Sequence, residues 1–235
     1  ATAVDPDGAA YAQLRAGDIL HVLHGIGPMW KPAEHDAYRE TFREVAPYIV
    51  RFGLNLVPSP RHGINEVIRG VRTTLRSYTQ QIPLLTIKFD AFDNATRVGT
   101  GYSQRVLDGE LDDALKMLAG VLRADSRVAF VRIGPECNGF WNGYDPELFP
   151  KAFRYVAEML RNEGANIITL WNVKLTHDMP RHELDWYPGD DIVDWWSIDL
   201  FSDDFRQPVT RERVREFLDE ARRRGKPVAI PESCP

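Results

Sequence analysis

Short apolar runs alternate with longer amphipathic stretches along the chain. The apolar runs predict seven strands, at residues 18–27, 48–57, 82–92, 127–136, 166–173, 191–201 and 226–233. Apolar residues at helical spacing predict helices over residues 63–81, 107–125, 145–164 and 210–225. The strands are mostly continuous apolar runs, which is typical of parallel strands buried on both faces. Alternation of this kind predicts βαβ units and a parallel sheet.

Two of the helices carry boundary signals. Asp145 and Thr210 are the expected N-caps, and Gly164 and Gly225 are the expected stops.

The pattern favours an α/β fold of the (β/α)8 TIM-barrel type over a doubly wound sheet. The segment HGIGPMW (24–30) follows the first strand but lacks the G-x-G-x-x-G spacing of a dinucleotide-binding loop. A chain of 235 residues suits one such domain, spanning 1–235. A closed barrel has eight strands and seven are predicted, so either the sequence is a fragment or one strand is missed in the count. We expect a fragment that stops after the seventh strand and lacks the last βα unit.

Composition narrows the class of protein. The chain is 43% hydrophobic and 27% charged, which predicts a folded core, and its net charge of −5 does not favour nucleic-acid binding. No apolar stretch reaches the roughly 18 residues that a membrane span needs. The opening residues ATAVDPDG resemble a mature N-terminus left by signal-peptide cleavage, so we expect a secreted or periplasmic protein. We also expect a monomer.

Candidate chemistry lies where the predicted strands end, because barrel enzymes carry their functional side chains at the C-terminal strand ends. These positions hold His24, Lys88, Asp90, Glu136, Asn138, Trp171, Asn172, Asp199, Phe201 and Glu232. Glu136 and Glu232 stand out, because an acid that ends an apolar strand needs a polar pocket.

Strand alternation gives each glutamate a predicted set of neighbours. On the fourth predicted strand, Arg132 shares a face with Glu136 and is expected to point into the barrel, where it can hold a carboxylate ionised. On the seventh, Glu232 is expected to share a face with Val228 and Ile230.

The paired glutamates resemble those of clan A glycoside hydrolases, and the flanking segments are most similar to glycoside hydrolase family 26 and its mannanase-like members. RIGPE (132–136) is similar to the family's Arg-Pro-Leu-His-Glu segment. The segments FWNGYDP (140–146), WYPGDDIVDWWSIDLF (186–201) and KPVAIPES (226–233) resemble its later motifs, so the likeness covers about residues 127–235. Pro135 stands where the family has a His, and Phe201 where a Tyr often helps to position the nucleophile.

The resemblance implies retaining hydrolysis of a β-linked polysaccharide of the β-mannan or β-glucan type. Glu232 would attack the anomeric carbon, while Glu136 would protonate the leaving oxygen and later deprotonate a water molecule. Retention requires carboxyl groups about 5–5.5 Å apart. No cofactor and no metal site are expected.

Substrate contacts are predicted from residue type and position. Indole rings stack on sugar faces, amides bind hydroxyl groups, and Asp199 has the alternative of pairing with a cation in the barrel. The predicted substrate-binding residues are Arg132, Asn138, Trp141, Asn142, Trp171, Asn172, Asp199 and His24. Trp195 and Trp196 are adjacent and point to opposite faces, so at most one of them can face the barrel interior.

Three further hypotheses stay open at this point. The departures at Pro135 and Phe201 leave room for a non-catalytic carbohydrate-binding barrel. A second alternative is an enzyme that abstracts a proton with the help of a metal ion, but the sequence lacks a clustered set of metal ligands. Cys137 and Cys234 closely follow the two glutamates, so they are hypothesised to form a disulfide, the alternative being two buried thiols.

Overall fold

The computed structural model describes residues 15–17, 25–26, 40, 49–56, 63–89, 92–93, 98–99, 101–176, 179, 182–201 and 206–234. Most of the first predicted strand lies outside this part of the chain, as do His24 and Asp90.

The strands of the described residues follow the predicted order along the chain. They are β1 (Gly25–Ile26), β2 (Ile49–Asn55), β3 (Ile82–Lys88), β4 (Phe92–Asp93), β5 (Val98–Gly99), β6 (Ala129–Ile133), β7 (Ile167–Lys174), β8 (Trp195–Phe201), β9 (Val228–Ala229) and β10 (Ser233–Cys234). The α-helices are α1 (Ile64–Ser77), α2 (Tyr102–Leu107), α3 (Asp112–Asp125), α4 (Phe149–Asn162) and α5 (Pro208–Arg223). Short 3-10 helices cover Phe140–Asn142 and Glu183–Trp186.

The main sheet is parallel and its strand order follows the chain. β1, β2, β3, β6, β7 and β8 lie side by side in that order, and both β9 and β10 pair with β8. β4 and β5 form a separate antiparallel pair. A parallel sheet in chain order, with helices between its strands, is the arrangement of a (β/α)8 barrel. The α/β fold predicted from the sequence is therefore confirmed.

Two apolar clusters lie on opposite faces of this sheet. The outer one packs alternate strand residues, such as Val131, Trp171 and Trp196, against the helices. The inner one fills the barrel near the strand starts and consists of Leu84, Val128, Phe130, Ile168, Leu170 and Trp195. As alternation predicts, Trp195 and Trp196 belong to different clusters.

The helices pack against the sheet through apolar faces, as helix α4 illustrates. Helix α4 buries residues at three- and four-residue spacing, among them Phe149, Phe153, Val156 and Leu160, which gives it one continuous apolar face. None of the described helices is long and apolar enough to cross a lipid bilayer.

The predicted helix boundaries are right in part. Asp145 Oδ1 accepts hydrogen bonds from the N–H groups of Glu147 and Leu148, but these belong to a turn that precedes α4. The cap predicted at Thr210 is wrong, because α5 begins at Pro208 and Thr210 is buried inside it. The helix predicted over 107–125 is confirmed as α3 except at its start, which lies at Asp112 because a turn at 108–111 separates it from α2.

Candidate active site

Polar side chains replace the apolar inner cluster toward the C-terminal ends of the strands. On the inner face of β6, Phe130 is followed by Arg132, and on that of β7, Leu170 is followed by Asn172. On β8, Asp199 lies on the same face as Trp195, four residues further along. Arg132, Asn172 and Asp199 are each at most 1% exposed. Burial of this kind is stable only when the polar groups satisfy one another.

Arg132 is the centre of this polar layer. Its Nη1 donates to Glu232 Oε1 at 2.5 Å, and its Nη2 donates to Asn172 Oδ1 at 2.8 Å. The same Nη2 also donates to Asp199 Oδ2. One guanidinium thus joins β6, β7, β8 and the segment that carries Glu232, and its planar shape suits this multiple bonding.

Glu232 reaches the barrel interior because the last strand is interrupted. Val228 and Ala229 pair with Trp196 and Ser197, whereas Ser233 pairs with Leu200, so one extra residue lies between β9 and β10. Val228 packs on the outer cluster and Ala229 on the inner one. The face predicted for Val228, Ile230 and Glu232 together is therefore wrong, because the bulge reverses the alternation before Glu232.

The bulge has a local cause and leaves the backbone of Glu232 anchored. Pro231 lies within it and has no N–H group to donate to a neighbouring strand. The carbonyl of Glu232 accepts a hydrogen bond from the N–H of Leu200 at 3.1 Å.

Three cations act on the Glu232 carboxyl. Besides Arg132, Arg51 Nη2 donates to Glu232 Oε1 from β2. Burial by itself would raise the pKa of Glu232, but the charges of Arg132, Arg51 and Lys174 outweigh it and hold this pKa below its ordinary value. Glu232 is accordingly ionised at neutral pH, and its side chain keeps 33% of its surface exposed.

Glu136 stands in a strained turn directly after β6. Gly134 has φ 63°, and a Cβ atom there would lie 2.3 Å from Phe149 Cε2, so this position requires glycine. Glu136 itself has φ 44°, which is uncommon for a residue with a side chain. Its N–H donates to Asn172 Oδ1 at 2.6 Å, and its carbonyl accepts from Asn142 Nδ2 at 3.2 Å.

Trp141 lies beside the Glu136 carboxyl. Its Nε1 donates to Glu136 Oε2 at 2.7 Å, and its side chain is 36% exposed. The neighbouring Phe140 is 59% exposed, and the two rings meet edge to face with centroids 5.1 Å apart. This pair is an exposed aromatic surface next to a catalytic candidate, the kind of surface on which a sugar ring stacks.

Asp199 lies close enough to both glutamates to sense their charges. Burial raises the pKa of its carboxyl to about 7, against the opposing charge of Arg132, and the negative charges of Glu232 and Glu136 raise it further. The two glutamates therefore share one electrostatic environment at the C-terminal edge of the sheet. Arg132 and Asn172 connect them beneath this edge.

Trp171 does not face the site. It is fully buried in the outer cluster, its Nε1 donates to the carbonyl of Trp186, and its ring packs against Tyr187, Trp196 and Phe217. The predicted substrate contact is wrong because alternation gives the inner face of β7 to Asn172.

The three asparagines predicted to bind hydroxyl groups are bonded to the protein. Asn138 pairs both amide atoms with the main chain of Lys174, at 2.7 and 2.9 Å. Asn142 accepts from Lys88 Nζ at 2.8 Å and donates to the turn at Pro135 and Glu136. Asn172 is committed to Glu136, Arg132 and Asp199. These contacts occupy the amide groups within the protein, so direct sugar binding by the three asparagines stays a prediction.

Arg132 and Asp199 likewise lie beneath the mouth, where the Nη atoms of Arg132 and the carboxylate of Asp199 are bonded to each other and to neighbours within the polar layer, an arrangement that does not support their prediction as substrate-binding residues. Asp199 takes the alternative predicted for it, an ion pair with an arginine. The prediction for His24 lies outside the described residues.

The hypothesised disulfide is not formed. Cys137 is a free, fully buried thiol, and burial raises the pKa of this thiol well above its ordinary range. Its ionised form is therefore disfavoured, so this group does not serve as a nucleophile.

Sequence reasoning missed Arg51 and Lys174. Arg51 interrupts an otherwise apolar strand, YIVRFGLNLV (48–57), which was a visible signal for an inward-facing cation. Lys174 holds its ammonium group 3.8 Å from the ring centroid of Phe201, which favours a cation–π contact. The partners of both cations depend on contacts across the sheet that the local sequence does not specify.

The comparisons with known proteins give relatives in sequence and in structure. No family model matches the chain. Over 138 residues, 57% of this chain, it is 33% identical to β-1,3-xylanases from a Vibrio species and an Alcaligenes species. The matched region is only 29% of the length of each of these curated relatives.

Solved structures share the fold over nearly the whole chain. A mannanase from Bacillus subtilis superposes with a TM-score of 0.71 at 17% identity, covering 99% of this chain and 79% of that one. A family 26 β-mannanase from Bacteroides ovatus gives 0.69 at 17% identity, covering 97% and 76%. The protein therefore has the (β/α) barrel fold of these mannanases.

Proposed function

We propose that this protein is a retaining glycoside hydrolase that cleaves a β-linked polysaccharide. The fold it shares with mannanases and the sequence similarity to β-1,3-xylanases both support a glycosidase. β-1,3-Xylan is the first substrate to test, because that relationship has the higher sequence identity, and β-mannan and β-glucan follow. A secreted or periplasmic location and a monomeric state belong to the same proposal.

In this mechanism Glu232 is the nucleophile. Its ionised carboxylate attacks the anomeric carbon and forms a glycosyl–enzyme bond, while the leaving oxygen takes a proton from Glu136. Glu136 then removes a proton from a water molecule, which attacks the same carbon and releases Glu232. Trp141 would support a sugar ring beside Glu136.

One observation carries the proposal: Glu232 is held and kept ionised by Arg132 and Arg51 at the same edge of the sheet as Glu136. A carboxylate with two arginine partners has a fixed position and a fixed charge, and a nucleophile needs both. Glu136, by contrast, has a backbone held in a strained turn and a carboxyl group bonded to an exposed tryptophan.

The test is a hydrolysis screen over β-1,3-xylan, β-mannan and β-glucan, with the anomeric configuration of the first products followed by NMR. The proposal predicts cleavage of at least one of them with retained configuration. Inverted products would remove Glu232 from the role of nucleophile. Binding of these polysaccharides without hydrolysis would instead support a non-catalytic carbohydrate-binding protein.

A further inference from the structure

Asn172 is hydrogen-bonded to the main chain of Glu136 and to Arg132, which binds the carboxylate of Glu232. Its Oδ1 accepts hydrogen bonds from the N–H of Glu136 at 2.6 Å and from Arg132 Nη2 at 2.8 Å. Its Nδ2 donates to Asp199 Oδ1 at 3.3 Å. The side chain is fully buried, so each of these bonds is costly to lose.

The main chain of Asn172 extends this contact to the next residue of the turn. Its carbonyl accepts from the N–H of Cys137 at 3.1 Å. One residue of β7 thus holds two successive N–H groups of the turn in which Glu136 adopts φ 44°. A strained backbone of this kind persists only where its surroundings fix it.

The side-chain amide of Asn172 is also connected to Glu232. Arg132, which donates to Asn172, also donates to Glu232, so three hydrogen bonds connect the main chain of Glu136 with the carboxylate of Glu232. We propose that Asn172 is a positioning residue that sets where the Glu136 carboxyl stands relative to Glu232. This inference rests on the proposed function.

Removal of the Asn172 amide should affect the two glutamates differently. In Asn172→Ala the N–H of Glu136 loses its acceptor and the turn relaxes. Arg132 keeps its bonds to Glu232 and Asp199, so the nucleophile stays in place. The variant therefore loses proton transfer by Glu136 while it retains attack by Glu232.

Two substrates of the same sugar distinguish these steps. An oligosaccharide leaves as an alkoxide that needs a proton, whereas a dinitrophenyl glycoside leaves as a stable phenolate. We expect Asn172→Ala to lower kcat/KM about 100-fold on the oligosaccharide, the loss typical of a misplaced catalytic group. On the dinitrophenyl glycoside we expect a fall of less than about tenfold, because that step does not use a general acid.

Azide gives a second readout on the dinitrophenyl glycoside. The variant should release a burst of phenolate and then turn over slowly, because water needs Glu136 as its base. Azide attacks the anomeric carbon without losing a proton and releases the Glu232 carboxylate, so it should restore the rate and yield a β-glycosyl azide. Equal losses of kcat/KM on both substrates, without acceleration by azide, would show that Asn172 has only a structural role.

Thr169→Val is the matched control. Thr169 is also fully buried on β7, and its Oγ1 donates to the carbonyl of Ile192 at 2.6 Å, away from the polar layer. Its loss should lower stability and leave the ratio of the two kcat/KM values, and the response to azide, as in the wild type.

A thermal measurement tests the same inference without activity. Glu136→Gly removes the strain at φ 44° and should raise Tm in the wild-type and Thr169→Val backgrounds. In the Asn172→Ala background the turn has already relaxed, so the gain should be smaller; an equal gain would overturn the inference. If the wild type hydrolyses neither substrate, the proposed function fails. The comparison of Tm gains then alone tests whether Asn172 holds the turn at Glu136.

Discussion

Glu136 and Glu232 lie at the same edge of the sheet but are held in opposite ways. Glu232 is fixed through its carboxylate, which accepts from Arg132 and Arg51. Glu136 is fixed through its main chain, which is bonded to Asn172 and Asn142, while its carboxyl contacts the exposed Trp141. A nucleophile must keep its charge and position, whereas an acid–base group must exchange protons, and the two environments match these different tasks.

The largest effect is expected from loss of Glu232, the proposed nucleophile. Glu232→Gln keeps the shape of the side chain but removes its charge, so hydrolysis should fall by about 10⁴-fold or more, measured as kcat/KM on the best substrate. Glu183→Gln is the control, because Glu183 is also a glutamate bonded to an arginine, at 2.9 Å from Arg213. Activity of Glu232→Gln within tenfold of the wild type would contradict the assignment.

Loss of the shared anchor should affect stability more than loss of any surface pair. Arg132→Ala leaves Asp199 and Glu232 without their buried cation, so the free energy of unfolding in urea should fall by about 3–5 kcal/mol. The exposed pair of Arg223 with Glu220 provides the control, since Arg223→Ala should change it by less than about 1 kcal/mol. Similar losses in both variants would show that Arg132 is not an anchor.

On the side of Glu136, the aromatic surface should contribute to binding. Trp141→Ala removes a ring on which a sugar can stack, so KM for the polysaccharide should rise about tenfold, the equivalent of roughly 1.4 kcal/mol. Trp141→Phe keeps a ring and separates stacking from the hydrogen bond to Glu136. A KM unchanged in both variants would remove Trp141 from the substrate site.

The smallest effect is a shift in pH dependence. Because cations hold the pKa of Glu232 below its ordinary value, activity should persist at acidic pH and be lost only as pH falls through this lowered pKa. Arg51→Gln removes one of these cations, so the pKa of Glu232 rises and the acid limb of the kcat/KM profile should move to higher pH. An acid limb that stays in place, or moves down, would contradict the role of Arg51.

Local patterns predicted most of the fold and a position for both glutamates at the C-terminal edge of the sheet. Continuous apolar runs give the strands, and alternation correctly places Arg132 inside the barrel. The same rule, applied to β7, would have excluded Trp171 as a substrate contact once Asn172 was assigned to the inner face. Helix limits were less predictable, because a turn around Gly109 interrupts a pattern that is apolar at helical spacing on both sides.

The remaining features depend on contacts between distant segments. Arg51 and Glu232 are 181 positions apart and lie on segments that do not pair with each other, so only the fold of the whole sheet brings them together. Pro231 in KPVAIPES is a local signal for an interrupted strand, but the one-residue change in pairing that places Glu232 depends on the neighbouring strand β8. The protein partners of the Asn138, Asn142 and Asn172 amides were not predicted for the same reason, since these partners come from neighbouring segments.

The most direct test of the central claim is to trap the glycosyl–enzyme bond. A 2-deoxy-2-fluoro glycoside with a good leaving group, in the sugar that the hydrolysis screen identifies, should accumulate as a covalent adduct, and peptide mapping by mass spectrometry locates it. We expect one sugar per chain, on Glu232, and no adduct in Glu232→Gln. An adduct on Glu136 or on another side chain, or rapid turnover to an inverted product, would contradict this claim.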